Sequence, residues 1–412
     1  IEKGDRVAIL MMNSVEFVEA FLGLGKIGAV VVPLNWRLVP GELTYIINNC
    51  GARMLIFGEE FAEHAASLHQ NDVSVTEWLE FGSGGERQLF ARDYEQAVSR
   101  QPDTEVEPRA SDDDYLFIMY TSGTTGLPKG VVHSHRTMMW AMNGVCVTAD
   151  MRYHDRYVLA LPMFHVGALT PMLSNIYRGI STVLMRQFDP THMWEVIQQE
   201  RITITIAVPS MLIFMLQVPE FEKYDYSSLR WVMSGATPVP VSLIEQYAEL
   251  GIEIHQVYGL TETGGLACLI SPEDALVRIG STGKAFFHAD VRVVGEKGED
   301  VAPGEPGEVI VRAPHNMIGY WDNPEATAET LRDGWLHTGD VALMDADGFV
   351  TIHDRLKDML ISGGENVYPA EIEDVILPHA GVGEVAVIGQ SSERWGESPL
   401  AIVVKKDAAL TE

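Results

Sequence analysis

The feature that most constrains the fold is a repeated alternation of short apolar runs with stretches of helical period. Apolar runs at residues 7–11, 29–34 and 52–57 predict buried strands. Asn13, with Glu16 three residues later, resembles the cap of a helix that starts there, and residues 40–49 predict a helix that ends at Gly51. Strand–helix–strand order with short connections predicts a parallel sheet with helical crossovers.

The same alternation resumes at residue 157 and predicts a second set of elements. Strands are predicted at residues 157–161, 182–185, 202–208, 229–233 and 252–257, and helices at 191–200, 210–217 and 241–250. We therefore expect two stacked doubly wound halves within residues 1–280. Residues 58–114 are more polar, and we expect most of them to form a surface connection with one or two helices.

Short strands separated by turns replace this pattern after Gly280. We predict a small β-barrel at about residues 281–354, which completes a large N-terminal domain at residues 1–355. Residues 356–412 predict a small α+β C-terminal domain that is incomplete at the end of the chain. The predicted fold class is therefore α/β.

Charge and composition exclude several classes of protein. The formal net charge of −29 argues against a nucleic-acid partner, because a phosphate backbone would be repelled. No apolar run approaches the ~18 residues that a membrane-spanning helix needs. Cys50, Cys146 and Cys268 lie far apart without ligand spacing, which fits a reducing cytoplasm and argues against a metal-binding set. The chain begins at Ile1, so we expect it to start within a longer protein.

The strongest single motif is Tyr-Thr-Ser-Gly-Thr-Thr-Gly-Leu-Pro-Lys-Gly at residues 120–130. An apolar run leads into hydroxyl and glycine residues whose backbone N–H groups can approach an anion, and a lysine adds a mobile positive charge. The residues expected to contact phosphate are Thr121, Ser122, Gly123, Thr124, Thr125, Gly126 and Lys129. The spacing differs from the Gly-x-x-x-x-Gly-Lys-Ser/Thr loop of NTPases, so this is a different phosphate device. A solvated Ser/Thr/Gly turn is the alternative.

Four further motifs follow in order along the chain. They are Tyr-Gly-Leu-Thr-Glu-Thr at 258–263, Gly-Trp-Leu-His-Thr-Gly-Asp at 334–340, Asp-Arg-Leu-Lys-Asp at 354–358 and Gly-Gly-Glu-Asn-Val-Tyr-Pro-Ala-Glu-Ile-Glu at 363–373. With residues 120–130 they resemble the adenylate-forming enzymes: acyl- and aryl-CoA synthetases, luciferases and peptide-synthetase adenylation domains. The resemblance covers essentially the whole chain. Residues 161–166 and 357–373 look most like mycobacterial-type very-long-chain fatty acyl-CoA synthetases.

This resemblance implies ATP, Mg²⁺ and coenzyme A, and it assigns residues to the nucleotide. The phosphate motif would hold the β- and γ-phosphates, and Glu262 would hold Mg²⁺, with Thr261 beside it. Asp340 would accept the ribose hydroxyls, and Arg355 would reach the ribose or a phosphate. The residues implied at adenine are Gly235, Ala236, Thr237, Tyr258 and Gly259. The small residues among them would otherwise serve only a tight strand–helix connection.

Further implied roles concern the acid, CoA and domain motion. His165 would border the acyl tunnel near the reacting carboxylate, although a lone histidine at a strand end is more often a core residue. Lys357 would be the hinge about which a mobile C-terminal domain turns between the two half-reactions. Gly363 and Gly364 would approach the phosphopantetheine arm of CoA, or they would simply form a hairpin turn.

Several of these residues also have purely structural interpretations. Taken alone, Glu262 would be a carboxylate at a helix start, Asp340 a turn former and Arg355 a member of a surface ion pair. His133 and His135 receive no role from the resemblance. We predict that these two histidines lie at a helix start or on the surface.

The segments expected to line an acyl tunnel are apolar, which predicts a medium-to-long-chain fatty acid as the substrate. They contain Met163, Phe164, Ala168, Met211, Phe214, Met215, Gly264, Gly265 and Leu266. An aryl acid of the cinnamate type is the second candidate, and an adenylation domain that loads a carrier protein is the third. A nucleotide-binding protein without turnover is the fourth. The chain ends at Glu412 before the family's lysine segment Pro-x-x-x-x-Gly-Lys, so we expect the protein to continue.

The remaining expectations concern location and assembly. We expect a cytoplasmic enzyme. Arg178, Arg186 and Arg201 would allow weak peripheral contact with the inner face of a membrane, which the net charge of −29 opposes. Homodimerisation is left open.

Replacing Lys357 with proline should slow thioester formation more than adenylation. Proline fixes one backbone dihedral, so it resists the rotation that a hinge must absorb between the two half-reactions. Pyrophosphate release measures the first step, and formation of the CoA thioester measures the second. An equal loss in both steps would contradict the hinge assignment.

Overall fold

The computed structural model describes residues 1–71, 73–82, 84, 87–121, 127–237, 239–271, 273–355, 360–362, 365–367, 369–377, 379, 381–392 and 396–406. Eight predicted site residues lie outside this part of the chain: Ser122, Gly123, Thr124, Thr125, Gly126, Lys357, Gly363 and Gly364. For Arg355 the description covers the backbone alone.

The first half is a largely parallel sheet with helices on both faces. Its strands are β1 (Arg6–Leu10), β2 (Val30–Pro33), β3 (Met54–Gly58), β4 (Glu77–Phe81), β5 (Arg92–Asp93), β6 (Tyr115–Thr121) and β7 (Lys129–Ser134). Its helices are α1 (Val15–Ile27), α2 (Pro40–Cys50), α3 (Ala62–Gln70), α4 (Tyr94–Ser99) and α5 (His135–Thr148). The strands lie in the order β7-β6-β2-β1-β3-β4-β5, and only β7 runs antiparallel to its neighbour within this set.

The second half repeats this arrangement. Its strands are β8 (Arg156–Leu159), β9 (Ser181–Leu184), β10 (Ile204–Ile206), β11 (Trp231–Gly235), β12 (Glu253–Tyr258), β13 (Cys268–Leu269) and β14 (Lys284–Ala285). Its helices are α6 (Val166–Arg178), α7 (Pro190–Glu200), α8 (Pro209–Leu216) and α9 (Val241–Glu249). Strands β9-β8-β10-β11-β12 are parallel, and β13 and β14 add an antiparallel edge. The predicted doubly wound α/β fold is confirmed.

Alternating side chains along the strands place apolar cores on both faces of each sheet. In β1, Val7 belongs to a core shared by the two halves, whereas Ala8 belongs to a separate core on the opposite face. In β8, Leu159 faces the shared core and Val158 faces an outer core. Successive side chains of a strand point to opposite faces, so both sheets must be covered on both sides. Helices α1, α5 and α6 supply side chains to the shared core.

Asn13 fastens the two halves together. The sequence predicts it as the cap of α1, but the cap is Ser14, whose hydroxyl accepts the N–H of Phe17 at 3.1 Å. The Asn13 amide instead donates to the carbonyls of Leu161 at 2.8 Å and Met185 at 3.2 Å. Its side-chain oxygen accepts the N–H of Met163 at 3.0 Å. This buried side chain therefore fixes the start of α1 against the ends of β8 and β9.

Residues 58–114 contribute more to the sheet than the sequence predicts. Two helices, α3 and α4, are present as expected, but β4 also pairs in parallel with β3 and buries Trp78 and Leu79. The expectation of a surface connection was wrong for this strand. In the sequence, the charged Glu80 interrupts the apolar pattern of this strand. In the structure, its carboxylate is buried and accepts the N–H of Gln88 at 2.8 Å.

The residues predicted as a small β-barrel form an antiparallel sheet. The elements are β15 (Asp290–Val294), β16 (Pro306–Arg312), β17 (Gly319–Tyr320), α10 (Pro324–Thr330), β18 (Leu331–Arg332), β19 (Trp335–Met344) and β20 (Val350–Arg355). Strands β15, β16 and β19 lie in that order, and β18 and β20 both pair with β19. Strand β17 leaves this sheet and pairs antiparallel with β7, so it extends the first sheet by one strand.

The last part of the chain is a small α+β unit. It contains β21 (Leu360–Ser362), β22 (Glu365–Val367), α11 (Pro369–Ile376), β23 (Val382–Ser392) and β24 (Gly396–Lys405). Strands β23 and β24 form a long antiparallel hairpin, and β21 joins β24 to β22. None of the described helices combines the length and apolar character that crossing a bilayer requires.

His133 is a buried residue that links two elements. The prediction of a helix-start or surface position is confirmed for His135, which begins α5, but it was wrong for His133. Its Nε2 lies 2.8 Å from the carbonyl oxygen of Thr261, and its Nδ1 lies 3.1 Å from the hydroxyl of Thr137. A carbonyl can only accept, so Nε2 carries the proton. Burial lowers the pKa of His133 to about 4.

His133 should make folding less stable as the pH falls from 7 to 5. Its pKa is about 4 in the folded state against 6.5 for the free side chain, so the unfolded chain takes up the proton first in this window. The resulting loss in the free energy of unfolding is about 2 kcal/mol. Urea unfolding at both pH values should show that His133→Gln loses about 2 kcal/mol less than the unmodified protein. Identical losses would contradict this account.

Candidate active site

A cleft of about 3220 Å³ brings together most of the predicted site residues that the structure describes. The predicted residues along it are Thr121, Lys129, His165, Gly235, Ala236, Thr237, Tyr258, Gly259, Thr261, Glu262 and Asp340. Thr121, Gly235 and Tyr258 are the last residues of β6, β11 and β12. Ligands of open α/β sheets bind outside the carboxyl ends of the strands, so these residues occupy the place where the fold favours a ligand.

The two described ends of the phosphate motif belong to adjacent antiparallel strands. Thr121 pairs with Lys129 across β6 and β7, so the two described ends of the motif lie side by side. Packing favours glycine at position 130, because a Cβ atom there would lie 2.7 Å from Ile118 and 3.2 Å from the Cβ of Trp321. The N–H of Trp321 also donates to the Gly130 carbonyl at 2.7 Å. The hairpin is therefore held by β17 as well as by its own pairing.

Glu262 lies in a short 3₁₀ helix, Thr261–Thr263, directly after the Tyr258 motif. Its carboxylate oxygen Oε1 accepts a hydrogen bond from the hydroxyl of Tyr320 at 2.7 Å. Its backbone carbonyl accepts the N–H of Met317 at 2.7 Å. The ammonium group of Lys129 lies 5.1 Å from the centroid of the Tyr320 ring. Tyr320 is a site residue that sequence reasoning missed, because no motif singled out this aromatic residue.

The donor set is suitable for Mg²⁺ bound chiefly through substrate phosphates. Among the described residues, no group of three or more His, Cys, Asp or Glu side chains could enclose a metal ion. Glu262 offers one carboxylate on the cleft, and Thr121 offers a hydroxyl. Mg²⁺ commonly binds one or two carboxylates together with phosphate oxygens and water, so a single carboxylate fits this ion.

Tyr258 and Asp340 form a direct pair at the other side of the nucleotide site. The Tyr258 hydroxyl donates to Oδ2 of Asp340 at 2.5 Å, and the hydroxyl of Thr338 accepts the N–H of Asp340 at 3.1 Å. Burial, together with the adjacent Asp340 charge, raises the pKa of Tyr258 well above its usual value, so the phenol stays a donor. Arg355 pairs with Asp340 across β19 and β20, which places its backbone beside that of Asp340.

The predicted adenine turn is sterically tight and strained. A Cβ atom at Gly235 would lie 2.2 Å from the Val257 carbonyl oxygen, so only glycine fits between β11 and β12. Ala236 has a left-handed backbone with φ of 71°, which is costly for a residue with a side chain. A Cβ atom at Gly259 would lie 2.2 Å from the carbonyl oxygen of Gly265. The small residues in both motifs are therefore required by backbone packing.

His165 lies at the start of α6 with its ring 4.4 Å from that of Phe164. Burial, assisted by the positive charge of Arg37, lowers the pKa of His165 to about 4, so the imidazole is neutral at pH 7. Arg37 also lines the cleft and lies over the ring of Trp36. No carboxylate among the described residues pairs with Arg37. Sequence reasoning missed this cation, because it belongs to a loop after β2 that carries no recognised motif.

The predicted tunnel residues divide into three groups. Met211 and Phe214 line the cleft. Met163, Phe164, Ala168, Met215 and Leu266 are instead buried in the apolar cores. Gly264 and Gly265 have left-handed backbones, with φ of 63° and 89°, and form the turn that follows the Glu262 helix.

Two family models match the sequence. The model described as AMP-binding enzyme covers residues 1–321, and the model described as AMP-binding enzyme C-terminal domain covers residues 371–412. The chain belongs to the AMP-binding enzyme family. The resemblance to adenylate-forming enzymes is thereby confirmed, together with a large N-terminal and a small C-terminal domain.

Individual relatives agree with this family. The chain is 46% identical over its whole length to the long-chain-fatty-acid–CoA ligase FadD13 of Mycobacterium tuberculosis, of which it covers 80%. It is 40% identical over 99% of its length to the feruloyl-CoA synthase of an Amycolatopsis species, of which it covers 80%. Both relatives are named as enzymes that join acids to CoA. This AMP-binding enzyme is accordingly an AMP-forming acyl-CoA ligase.

Solved structures give the same result. A Mycobacterium tuberculosis fatty acyl CoA synthetase matches with a TM-score of 0.84 and 43% identity, over 100% of this chain and 80% of the other. The o-succinylbenzoate CoA synthetase of Bacillus subtilis, solved with its acyl-adenylate intermediate, matches with a TM-score of 0.87 and 30% identity over the same shares. The Bacillus subtilis enzyme has also been solved with ATP and a magnesium ion.

Replacing Tyr258 with phenylalanine should weaken ATP binding about tenfold, because a hydrogen bond to a charged group contributes roughly 1.5–3 kcal/mol. The change leaves the ring but removes the hydroxyl that orients Asp340. Calorimetric titration with ATP and with 2′-deoxy-ATP measures the effect. If Asp340 receives the ribose hydroxyls, the variant should discriminate less between the two nucleotides. An unchanged preference for ATP would contradict the ribose assignment.

Proposed function

We propose that this enzyme activates a medium-to-long-chain fatty acid with ATP and transfers the acyl group to coenzyme A. A carboxylate is a poor electrophile, so its oxygen first attacks the α-phosphorus of ATP and pyrophosphate leaves. The thiol of CoA then attacks the acyl carbon, and AMP leaves with the electron pair of the broken bond. The observation that carries this proposal is the convergence of the phosphate hairpin, Glu262, the Tyr258 motif and Asp340 on one cleft.

The nucleotide would be held between two groups of residues. Thr121 and Lys129 would bind the β- and γ-phosphates, together with the residues of the motif tip, and Asp340 would accept the ribose hydroxyls. Glu262 would hold Mg²⁺, which supplies charge neutralisation at the phosphates when it is bound. Donors fixed before the reaction stabilise developing charge at little cost of reorganisation. The hydrogen bonds to Glu262 and Asp340 support such preorganisation.

The second half-reaction would use the C-terminal domain. Lys357 would remain the hinge, Gly363 and Gly364 would approach the phosphopantetheine arm, and Arg355 would contact the ribose or a phosphate. These roles rest on the resemblance alone. The register that aligns Arg355 with Asp340 is compatible with its role, because it brings the two backbones together.

The acid would lie near His165, where the imidazole is neutral and Arg37 adds a positive charge. The carboxylate of the acid and the α-phosphate of ATP are both anionic and must approach each other here. The positive charge of Arg37, beside the neutral imidazole of His165, would lower their repulsion. The fatty chain would extend past Met211 and Phe214. Methionine side chains adapt to irregular apolar ligands, and two further methionines of the predicted tunnel lie in the cores, Met163 in the shared core and Met215 in the outer core.

An aryl acid is the second candidate substrate. It is supported by the feruloyl-CoA synthase at 40% identity and by the close packing of Met163, Ala168 and Leu266. A flat ring of cinnamate size needs less displacement of these side chains than a long alkyl chain does. The fatty-acid and aryl-acid candidates therefore differ in how far these core side chains must move to admit the substrate.

Peripheral membrane contact receives little support from the surface. Arg186 pairs with Glu60 at 2.8 Å, and Arg201 lies 3.6 Å from Asp225. Arg178 donates to the backbone carbonyl of Met151 at 3.1 Å. Two of the three arginines suggested for this contact are thus already neutralised by carboxylates.

Pyrophosphate release with a panel of fatty and aryl acids, with and without CoA, tests the proposal. We expect release with saturated acids of medium and long chain, and thioester formation with free CoA. Ferulic and cinnamic acids should give at least tenfold lower kcat/KM, a difference of about 1.4 kcal/mol. A reversed order would establish the aryl candidate. No release with any acid by the full-length protein would overturn the assignment of this chemistry.

A further inference from the structure

Tyr320 lies where three parts of the nucleotide site meet. It ends the short strand β17, whose residues Gly319 and Tyr320 pair with Val132 and Val131 of β7. Strand β7 begins with Lys129, so the Tyr320 backbone is fixed to the strand that carries the phosphate-motif lysine. The N–H of Tyr320 donates to the hydroxyl of Thr327 at 2.9 Å, which also fixes it to α10. The side chain therefore starts from a rigid position.

The hydroxyl of Tyr320 fixes one oxygen of Glu262. Its 2.7 Å hydrogen bond reaches Oε1, and no described residue donates to Oε2. The backbone around Glu262 is also held, because Met317 donates to the Glu262 carbonyl and His133 bonds the adjacent Thr261 carbonyl. The backbone of Glu262 is thus fixed, and Tyr320 fixes one oxygen of its carboxylate. The other carboxylate oxygen is left for a ligand.

The face of the Tyr320 ring carries the second charge of the site. The Lys129 ammonium lies 5.1 Å from the ring centroid, within the distance at which a cation is attracted to an aromatic face. No carboxylate among the described residues forms an ion pair with Lys129. One side chain therefore contacts both the carboxylate and the lysine without allowing them to neutralise each other.

The Tyr320 hydroxyl acts as the donor in this 2.7 Å hydrogen bond, because the carboxylate oxygen of Glu262 can only accept. It cannot compete with Glu262 as an anionic ligand, and it can satisfy only one lone pair of that carboxylate.

We propose that Tyr320 is a positioning residue for Mg²⁺–ATP, which orients Glu262 toward the metal and keeps Lys129 apart from it for the phosphates. This proposal rests on the proposed function, because it takes Glu262 as the metal ligand. Groups that orient a metal ligand usually affect metal affinity strongly, by about 10- to 100-fold when they are removed. A plain structural tyrosine would affect stability but not the Mg²⁺ requirement.

The decisive variant is Tyr320→Phe, which removes the hydroxyl and keeps the ring beneath Lys129. ATP binding is measured by calorimetry at a series of Mg²⁺ concentrations, and the concentration of Mg²⁺ that gives half of the maximal ATP affinity is compared. We expect this concentration to rise about tenfold, while ATP affinity at saturating Mg²⁺ changes less than threefold. The pyrophosphate-release rate should show the same Mg²⁺ dependence.

Tyr320→Leu separates the role of the ring from that of the hydroxyl. This variant removes both, so we expect the same increase in Mg²⁺ requirement and an additional loss of ATP affinity at saturating Mg²⁺. The expected additional loss is about threefold, as for an exposed cation–π contact. If Tyr320→Phe and Tyr320→Leu behave alike at saturating Mg²⁺, the ring has no role in placing Lys129.

Tyr247→Phe is the matched control. It removes a buried tyrosine hydroxyl that donates to the Leu212 carbonyl at 2.9 Å, and neither of these two residues lines the cleft. It should lower the midpoint of thermal unfolding without changing the Mg²⁺ requirement. If Tyr320→Phe behaves in the same way, Tyr320 is only structural and the proposal is wrong.

Glu262→Gln distinguishes failure of this proposal from failure of the proposed function. If Glu262→Gln raises the Mg²⁺ requirement and Tyr320→Phe does not, Glu262 remains the ligand and the positioning role is overturned. If neither variant changes the requirement, the assignment of Glu262 to the metal fails, and the role of Tyr320 fails with it. An increase in both variants supports the two assignments together.

Discussion

The three hydrogen bonds of Asn13 are the interaction on which the arrangement of the two halves depends. A buried amide must satisfy its donors and acceptor, and here all the recorded partners of Asn13 belong to the second half. The start of α1 is consequently held against the carboxyl ends of β8 and β9. The cleft lies beside this joint and is lined by residues at the ends of strands from both halves. Asn13 itself lines the cleft, so the joint and the site share one residue.

The site combines groups from elements that are far apart in the sequence. The hairpin at Lys129 belongs to the first sheet, Glu262 and Tyr258 follow β12 of the second sheet, and Asp340 belongs to β19. Hydrogen bonds cross each of these boundaries: Tyr320 reaches Glu262, Tyr258 reaches Asp340, and His133 reaches the Thr261 carbonyl. A nucleotide bound between these elements would therefore encounter donors and acceptors that are already oriented, which is the requirement for electrostatic catalysis.

The sequence predicted the βα alternation and the motif residues that line the cleft, because both leave periodic or local signals. Apolar runs indicate strands such as β1, and the hydroxyl, glycine and lysine residues at 120–130 predict phosphate binding because they are close together in the sequence. Tertiary pairings leave no such signal. Asn13 resembled a helix cap, but the partners of its side chain lie more than 140 residues away in the sequence. Glu80 interrupted the apolar pattern of β4, although its carboxylate is buried and accepts a hydrogen bond from the Gln88 N–H. His133, Arg37 and Tyr320 were missed for the same reason, since their roles depend on neighbours that only the fold brings close.

Strand β17 shows how a short element can govern the geometry of a site. It contains only Gly319 and Tyr320, yet it returns the chain from the third sheet to the edge of the first. Trp321 then lies over Gly130, where a Cβ atom would come within 2.7 Å of Ile118 and 3.2 Å of Trp321. Strand β17 therefore holds β7, which begins at Lys129, and its residue Tyr320 holds the Glu262 carboxylate through a hydrogen bond. Because both contacts follow from one pairing with β7, the fold itself fixes the strand of Lys129 and the Glu262 carboxylate to the same short element.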